Sequence, residues 1–317
     1  MSDAWLFPGQ GAQVVGMGRD LASVSSAARD VFRRADDALH EHLSAIIFDG
    51  SEETLRLTAN AQPAILAVSV AVLATLHERL PSLPPAHFVA GHSLGEYSAL
   101  VASHALEFED AVRLVRARAL AMQDAVPVGV GAMAAVIGID GPALEAMCAD
   151  SSQSEFVAPA NYNAPSQIVV AGHTSAIGRL KEKVAAAGGR VLPLQVSAPF
   201  HCRLMAAATP TVREALARVT VHPPLFPFVS NFDALPTVDP EHIRVVLLRQ
   251  IEAPVRWQQT VCNLVERGVD RFFEIGPGTV LTRLARRIAP GATTFSVNDD
   301  ASLEAAIRFV LGSAPSR

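Results

Sequence analysis

Five residues, Gly91-His92-Ser93-Leu94-Gly95, constrain this chain more than any others. The apolar run Phe88-Val89-Ala90 ahead of them reads as the end of a buried strand, and residues 96–102 read as a helix. A serine at a sharp strand-to-helix turn is the pattern of a nucleophile elbow. Such a turn has no room for β-carbons on either side, which is why glycines flank it. The Leu94 amide then lies at a helix N-terminus, where free N–H groups and the helix dipole favour negative charge. An oxyanion formed during acyl transfer is stabilised by such donors. The elbow taken alone also fits a plain esterase.

Composition narrows the class. The 317 residues are 50% hydrophobic and 18% charged, enough to bury a sizeable core. At roughly 100–200 residues per domain this allows one large domain or two modest ones. Lys plus Arg is 26 and Asp plus Glu is 31, for a net charge of −5 with no basic run, so nucleic acid is not an expected partner. Cys148, Cys202 and Cys262 are too few and too widely spaced for a disulfide framework or a zinc site. They suit a reducing cytoplasm. His40 and His42 have no further ligand spacing around them, so no metal is expected. The N-terminus lacks the basic and apolar segments of a signal peptide. The apolar run at 63–76 is shorter than the about 20 residues a bilayer requires. It reads as a buried helix, and no membrane association is expected.

Taken in order, the chain alternates strands and helices. Trp5-Leu6-Phe7 reads as a first strand running into Pro8-Gly9-Gln10-Gly11. Val14 stands where a dinucleotide fingerprint needs its third glycine, so that reading fails. The Gln10 amide is either a second oxyanion donor or part of an ordinary turn. Residues 21–39 and 52–57 read as surface helices. Pro63 suits a first helical position, which puts Gln62 at a helix entrance facing a pocket. In the helix expected over 109–126, Ala111, Leu114, Val115, Arg118, Met122 and Ala125 share one stripe at about 100° per residue. Arg118 thus falls on the face that should bury. A buried guanidinium needs an anionic partner. That partner is either an acid elsewhere in the chain or a substrate carboxylate clamped in bidentate fashion.

Residues 127–131 read as a linker. Strands expected at 132–138, 156–161, 167–171 and 190–196 alternate with helices at 141–150 and 175–187. The order β-α-β-β-α-β is ferredoxin-like and marks a small inserted domain over 128–197. His201 lies where the chain returns from this insert, a suitable place for a general base. The last third resumes an α/β alternation, with a strand-like stretch at 226–231, helices at 240–250, 257–267 and 279–288, and strands at 271–275 and 294–297. The tail at 312–317 reads as disordered.

Seven stretches, in this order, carry a family resemblance: Phe7-Pro8-Gly9-Gln10-Gly11, Gln62-Pro63-Ala64, Gly91-His92-Ser93-Leu94-Gly95-Glu96-Tyr97-Ser98, Gly131-Ala132-Met133, Asn161-Tyr162-Asn163-Ala164-Pro165, Phe200-His201 and Glu274-Ile275-Gly276-Pro277-Gly278. With them the chain resembles, over nearly its whole length, the malonyl-CoA:acyl-carrier-protein transacylases and the related acyltransferases that load polyketide synthases. The resemblance implies an α/β fold, a hydrolase-like catalytic domain over 1–127 and 198–317 interrupted by the ferredoxin-like domain at 128–197. It implies that Ser93 is the acylated nucleophile and His201 its base. The Leu94 and Gln10 amides would form the oxyanion hole, and Arg118 would hold a malonyl carboxylate. Gln250 falls where a main-chain carbonyl orients the histidine. Asn161 and Asn163 would line the pantetheine arm.

The implied substrates are malonyl-CoA, as a thioester rather than a cofactor, and the phosphopantetheine thiol of an acyl carrier protein. An α/β-hydrolase expects an acid between its serine and its histidine in chain order. None stands at an evident strand end here, and a Ser–His dyad oriented by a carbonyl needs none. Phe200, before the histidine, matches malonyl-selective polyketide acyltransferases; fatty-acid enzymes typically carry serine there. A trans-acting polyketide acyltransferase using another extender unit, or an acyl hydrolase of the same family, stays open at this point. So does carrier-protein docking on Arg283, Arg286 and Arg287, against a merely solvated helix face.

Overall fold

The computed structural model describes residues 2–196 and 198–312, so the expected tail lies, apart from Gly312, outside the described residues. Its ten strands are β1 (Asp3–Phe7), β2 (Phe88–Gly91), β3 (Gly131–Ile137), β4 (Val157–Ala164), β5 (Gln167–His173), β6 (Arg190–Pro193), β7 (Phe228–Val229), β8 (Pro236–Thr237), β9 (Arg271–Ile275) and β10 (Thr293–Val297). They form two sheets. One has the order β10-β9-β1-β2-β7-β8 and is parallel except for β8. The other, β4-β5-β3-β6, is antiparallel throughout and has the ferredoxin-like order. The chain is thus α/β, a hydrolase-like parallel sheet interrupted by a ferredoxin-like module.

β1 and β2 lie side by side at the centre, with Leu6 opposite Ala90 and Phe7 opposite Gly91. Their C-terminal ends therefore deliver the Gln10 and Ser93 loops to one place, where parallel α/β sheets hold their sites. The two backbones meet without side chains between them. A Cβ on Gly91 would stand 1.8 Å from the Gly95 carbonyl carbon, and one on Gly95 would stand 2.0 Å from the Phe7 carbonyl oxygen. The two glycines let the elbow helix Gly95–Ala102 pack directly on β1 and β2.

The apolar run becomes a helix, Thr58–Arg79, packed against the helices Ser26–Leu39 and Phe108–Asp124. It begins a turn earlier than the proline suggested. Pro63 is its sixth residue, and Gln62 sits inside the helix. The additional turn is closed by the Asn60 and Ala61 amides on the Leu57 carbonyl. With these 22 residues the helix is long and apolar enough to cross a membrane, yet 78% of its apolar window is buried inside the protein. Each fully buried Leu, Ile or Val on it contributes about 1.5–3 kcal/mol.

Other elements differ locally from the sequence reading. The stretch at 21–39 is two helices, Arg19–Val24 and Ser26–Leu39, broken at extended Ser25, whose side chain caps the second. The strand-like 226–231 contracts to Phe228–Val229. The helices Leu43–Asp49, Thr209–Ala217 and Asp300–Gly312 were not expected.

Two family motifs turn out to hold the frame together. In Glu274-Ile275-Gly276-Pro277-Gly278, the Glu274 carboxylate accepts from the Leu281 (2.9 Å) and Thr282 (2.7 Å) amides and so caps the helix Val280–Ile288. In the Asn161–Pro165 stretch, Tyr162 N donates to Val255 O (2.9 Å), and Val255 N donates to Ala160 O (2.8 Å). The small sheet is thereby joined to the large module along β4. Gly95→Ala, which forces a Cβ into the Phe7 carbonyl, is expected to cost about 3 kcal/mol or more. Urea denaturation would measure it, and a change below about 0.5 kcal/mol, the level of an ordinary surface substitution, would show that the close approach is not required.

Candidate active site

Ser93 leaves β2 at φ +53, a left-handed conformation rare for a residue with a β-carbon. Asn231 holds it there. Its Oδ1 accepts from Ser93 N (2.7 Å), and its Nδ2 donates to Gly91 O (2.7 Å). The Ser93 hydroxyl lies 2.6 Å from His201 Nε2. His201 also has a left-handed backbone, at φ +59. Its Nδ1–H donates to the main-chain carbonyl of Gln250 at 2.9 Å, which leaves Nε2 as the acceptor for the serine proton. The pair is a dyad oriented by a carbonyl, with no carboxylate on the imidazole among the described residues.

The ring is 4% exposed. Burial, and secondarily the Arg118 charge, push its pKa down to about 3. It is neutral across the physiological range, as a general base must be before it acts.

Arg118 is fully buried, on the stripe its spacing indicated. Of the two partners its burial left open, an acid of the chain is not among its hydrogen-bond acceptors in the described residues. Nη1 donates to Gln62 Oε1 (2.5 Å), and Nη2 donates to Gln250 Oε1 (2.8 Å) and Ser93 Oγ (3.1 Å). Nε has no partner among the described residues. The guanidinium faces the nucleophile, supported by two neutral amides. Tyr97 lies under it, 5.6 Å from its ring centre. A buried cation solvated mainly by amide oxygens is short of negative charge, and a carboxylate entering beside Ser93 would supply it.

One cavity of about 280 Å³ collects most of the sequence candidates. Gln10, Gln62, Ser93, Arg118, Asn161, Phe200 and His201 all line it, with Met122 and Met133 at its apolar side. Asn163 stands apart, in an adjoining cavity, with Oδ1 2.8 Å from His92 Nε2. Gln250 and Leu94 are buried behind the wall. The Gln10 and Leu94 amides donate to no group among the described residues. A wider cleft of about 870 Å³ between Tyr162 and Arg256 holds none of these groups.

Sequence reasoning overlooked two members. Glu96 and Asn231 are buried beneath the elbow, and the Glu96 carboxylate accepts from Asn231 N and Gln250 Nε2. The available signal was an acid three residues after the serine, on a helix that is otherwise uncharged. Among the described residues no cluster of His, Cys, Asp or Glu can hold a metal ion. Arg283, Arg286 and Arg287 are all exposed on the helix Val280–Ile288, and two of them are bonded to neutral groups. Arg287 donates to Gln167 Oε1 (2.9 Å) and Pro165 O (2.8 Å), and Arg286 to Thr294 Oγ1 (2.7 Å).

Comparison with known proteins meets this geometry from the outside. Residues 4–298 match the acyl transferase domain family. The malonyl CoA-acyl carrier protein transacylase of Escherichia coli K12 is 41% identical over 305 residues, covering 96% of this chain and 98% of that protein. The Bacillus subtilis protein of the same name is 42% identical over 307 residues, covering 96% of each chain. The crystal structure of the acyl-carrier-protein S-malonyltransferase of Bartonella henselae superposes with a TM-score of 0.95 at 43% identity, covering 98% of this chain and 99% of that one. A malonyl-transacylase solved in complex with a type II polyketide synthase acyl carrier protein gives 0.95 at 42% identity, covering 98% and 100%. With a carbonyl-oriented Ser–His dyad at its elbow and matches of this length, the chain belongs to the acyl transferase family, among the malonyl-CoA:acyl-carrier-protein transacylases.

Proposed function

We propose that the protein moves a malonyl group from coenzyme A, through an ester on Ser93, to the phosphopantetheine thiol of an acyl carrier protein. The observation that carries this reading is a buried Arg118 guanidinium 3.1 Å from the Ser93 hydroxyl, at the wall of the same cavity. A plain esterase has no use for a buried cation at its nucleophile; an enzyme selecting a carboxylated acyl group does.

The cycle is ping-pong. His201 Nε2 takes the Ser93 proton as Oγ attacks the thioester carbonyl. The Leu94 and Gln10 amides stabilise the oxyanion. Collapse breaks the C–S bond, and His201 returns the proton to the departing coenzyme A thiolate. The carrier-protein thiol then gives its proton to His201 and attacks the serine ester. Collapse of the second oxyanion restores the Ser93 hydroxyl with that proton. Two thiols, one hydroxyl and one imidazole balance every step, so the reaction calls for no cofactor.

Phe200 lines the acyl cavity with Met122 and Met133, and its bulk is read as leaving less room for an α-branch. We therefore read the acyl group as malonyl rather than methylmalonyl, a preference of about 1–3 kcal/mol for one methyl. Asn161, on the cavity wall, and Asn163 beside it are read as contacts for the pantetheine arm. The three cysteines are free, as a reducing compartment keeps them, and we place the protein in the cytoplasm.

Incubation with malonyl-CoA is expected to add one malonyl group by intact mass, and none in Ser93→Ala. An unmodified wild-type protein would end the reading. Arg118→Ala should depress malonyl loading by on the order of 100-fold or more, from loss of a charged hydrogen-bonded contact. Acetyl loading should suffer much less, and an equal fall in both would remove Arg118 from carboxylate recognition. Because His201 in the folded protein resists protonation down to about pH 3, kcat/KM for acylation should stay level from pH 8 to 5. A tenfold drop per unit below about pH 6.5, the ordinary imidazole value, would contradict a neutral buried base. The same shift lowers stability as pH falls from about 6.5 toward 3, since only the unfolded chain takes up that proton there.

A further inference from the structure

The Gln250 side chain links several parts of the catalytic apparatus. Its Nε2 donates to Ser93 O (2.9 Å) and to a Glu96 carboxylate oxygen, while its Oε1 accepts from Arg118 Nη2 (2.8 Å). Its main-chain carbonyl holds His201 (2.9 Å). An amide has two unlike ends, and this one has a single workable orientation. Reversed, it would set NH2 against the guanidinium donors and its oxygen against a carboxylate and a carbonyl. The end that decides is Glu96. Its carboxyl group is fully buried, has a backbone or amide N–H on each oxygen, and shares the Gln250 amide with the Arg118 guanidinium.

We propose that Glu96 is the positioning residue for carboxylate selection: it locks the Gln250 amide with its oxygen toward Arg118, and so aims the guanidinium at an acyl carboxylate bound beside Ser93. Glu96 touches neither substrate nor imidazole in this arrangement. Its second oxygen, on Asn231 N, fastens the same carboxylate to the residue that holds the elbow. The guanidinium is thus aimed from the frame that sets the nucleophile, and the distance between the two is fixed by one buried network. This rests on the malonyl-transfer reading above.

The test compares Ser93 loading from malonyl-CoA and from acetyl-CoA in wild type, Glu96→Gln, Gln250→Met and the double variant. Gln250→Met removes the amide but keeps the main-chain carbonyl that orients His201. Each single variant is expected to lower the malonyl-to-acetyl ratio of kcat/KM by on the order of 10-fold, the worth of one charged hydrogen bond. The double variant should lose no more than either single one, because both remove the same link. An unchanged ratio in soluble, folded variants, or independent losses that multiply in the double variant, would overturn the assignment. A purely structural role would depress both substrates alike and also overturn it. If Glu96→Gln does not fold, Glu96→Asp, whose shorter side chain withdraws from the Gln250 amide, decides by the same ratio. Wild-type protein that takes no malonyl group at Ser93 would instead refute the underlying reaction, a result distinct from a wild type that loads normally while the variants keep their selectivity.

Discussion

The contact on which the site rests is between backbones, not side chains. The elbow helix touches the end of β2 and the Phe7 carbonyl through two glycines with no space for a methyl group. Everything reactive depends on that contact. It brings the Ser93 turn against the loop that follows β1, where the Gln10 amide waits. It also sinks the first turn of the elbow helix deep enough that Glu96 is removed from water and must find its partners inside. A larger residue at either position would lift the helix and separate the hydroxyl from the groups that serve it.

The electrostatic design follows from that depth. A cation, an imidazole and a carboxyl group share one dry region. Burial pushes the Glu96 carboxyl up to about 8, against two hydrogen bonds and the Arg118 charge, which pull it down. Arg118 is lowered by burial, and its nearest help comes from Tyr97 and Glu96. His201 pays no such penalty because it stays neutral. The imidazole does not need an acid behind it: a carbonyl fixes its tautomer, and a full negative charge there would compete with the substrate for Arg118. The missing third member of the usual triad is thus consistent with a site that receives an anion.

Much of this was legible in the order of residues. Periodicity alone put Arg118 on a burying face, because one arginine in an apolar stripe stands out at 100° per residue. The insert was legible because its four strands and two helices are short, regular and bounded by glycines. What stayed hidden depends on contacts distant in sequence. Nothing near Gln250 announces that its carbonyl meets a ring 49 positions earlier or that its amide spans Arg118 and Glu96. The beginning of the helix at Thr58 was misread because local proline preference gave way to tertiary burial on all sides. The bonds of Arg286 and Arg287 stayed hidden because their partners, Thr294, Gln167 and Pro165, lie on other strands and turns.

Ser93 and His201 both occupy left-handed backbone, at φ +53 and +59. For a side chain branched at Cβ that region is sterically hostile. A threonine, equal to serine in functional group, would meet the turn before it met the thioester. The choice of a primary over a secondary alcohol as the acyl carrier is therefore dictated by main-chain torsion as well as by reactivity.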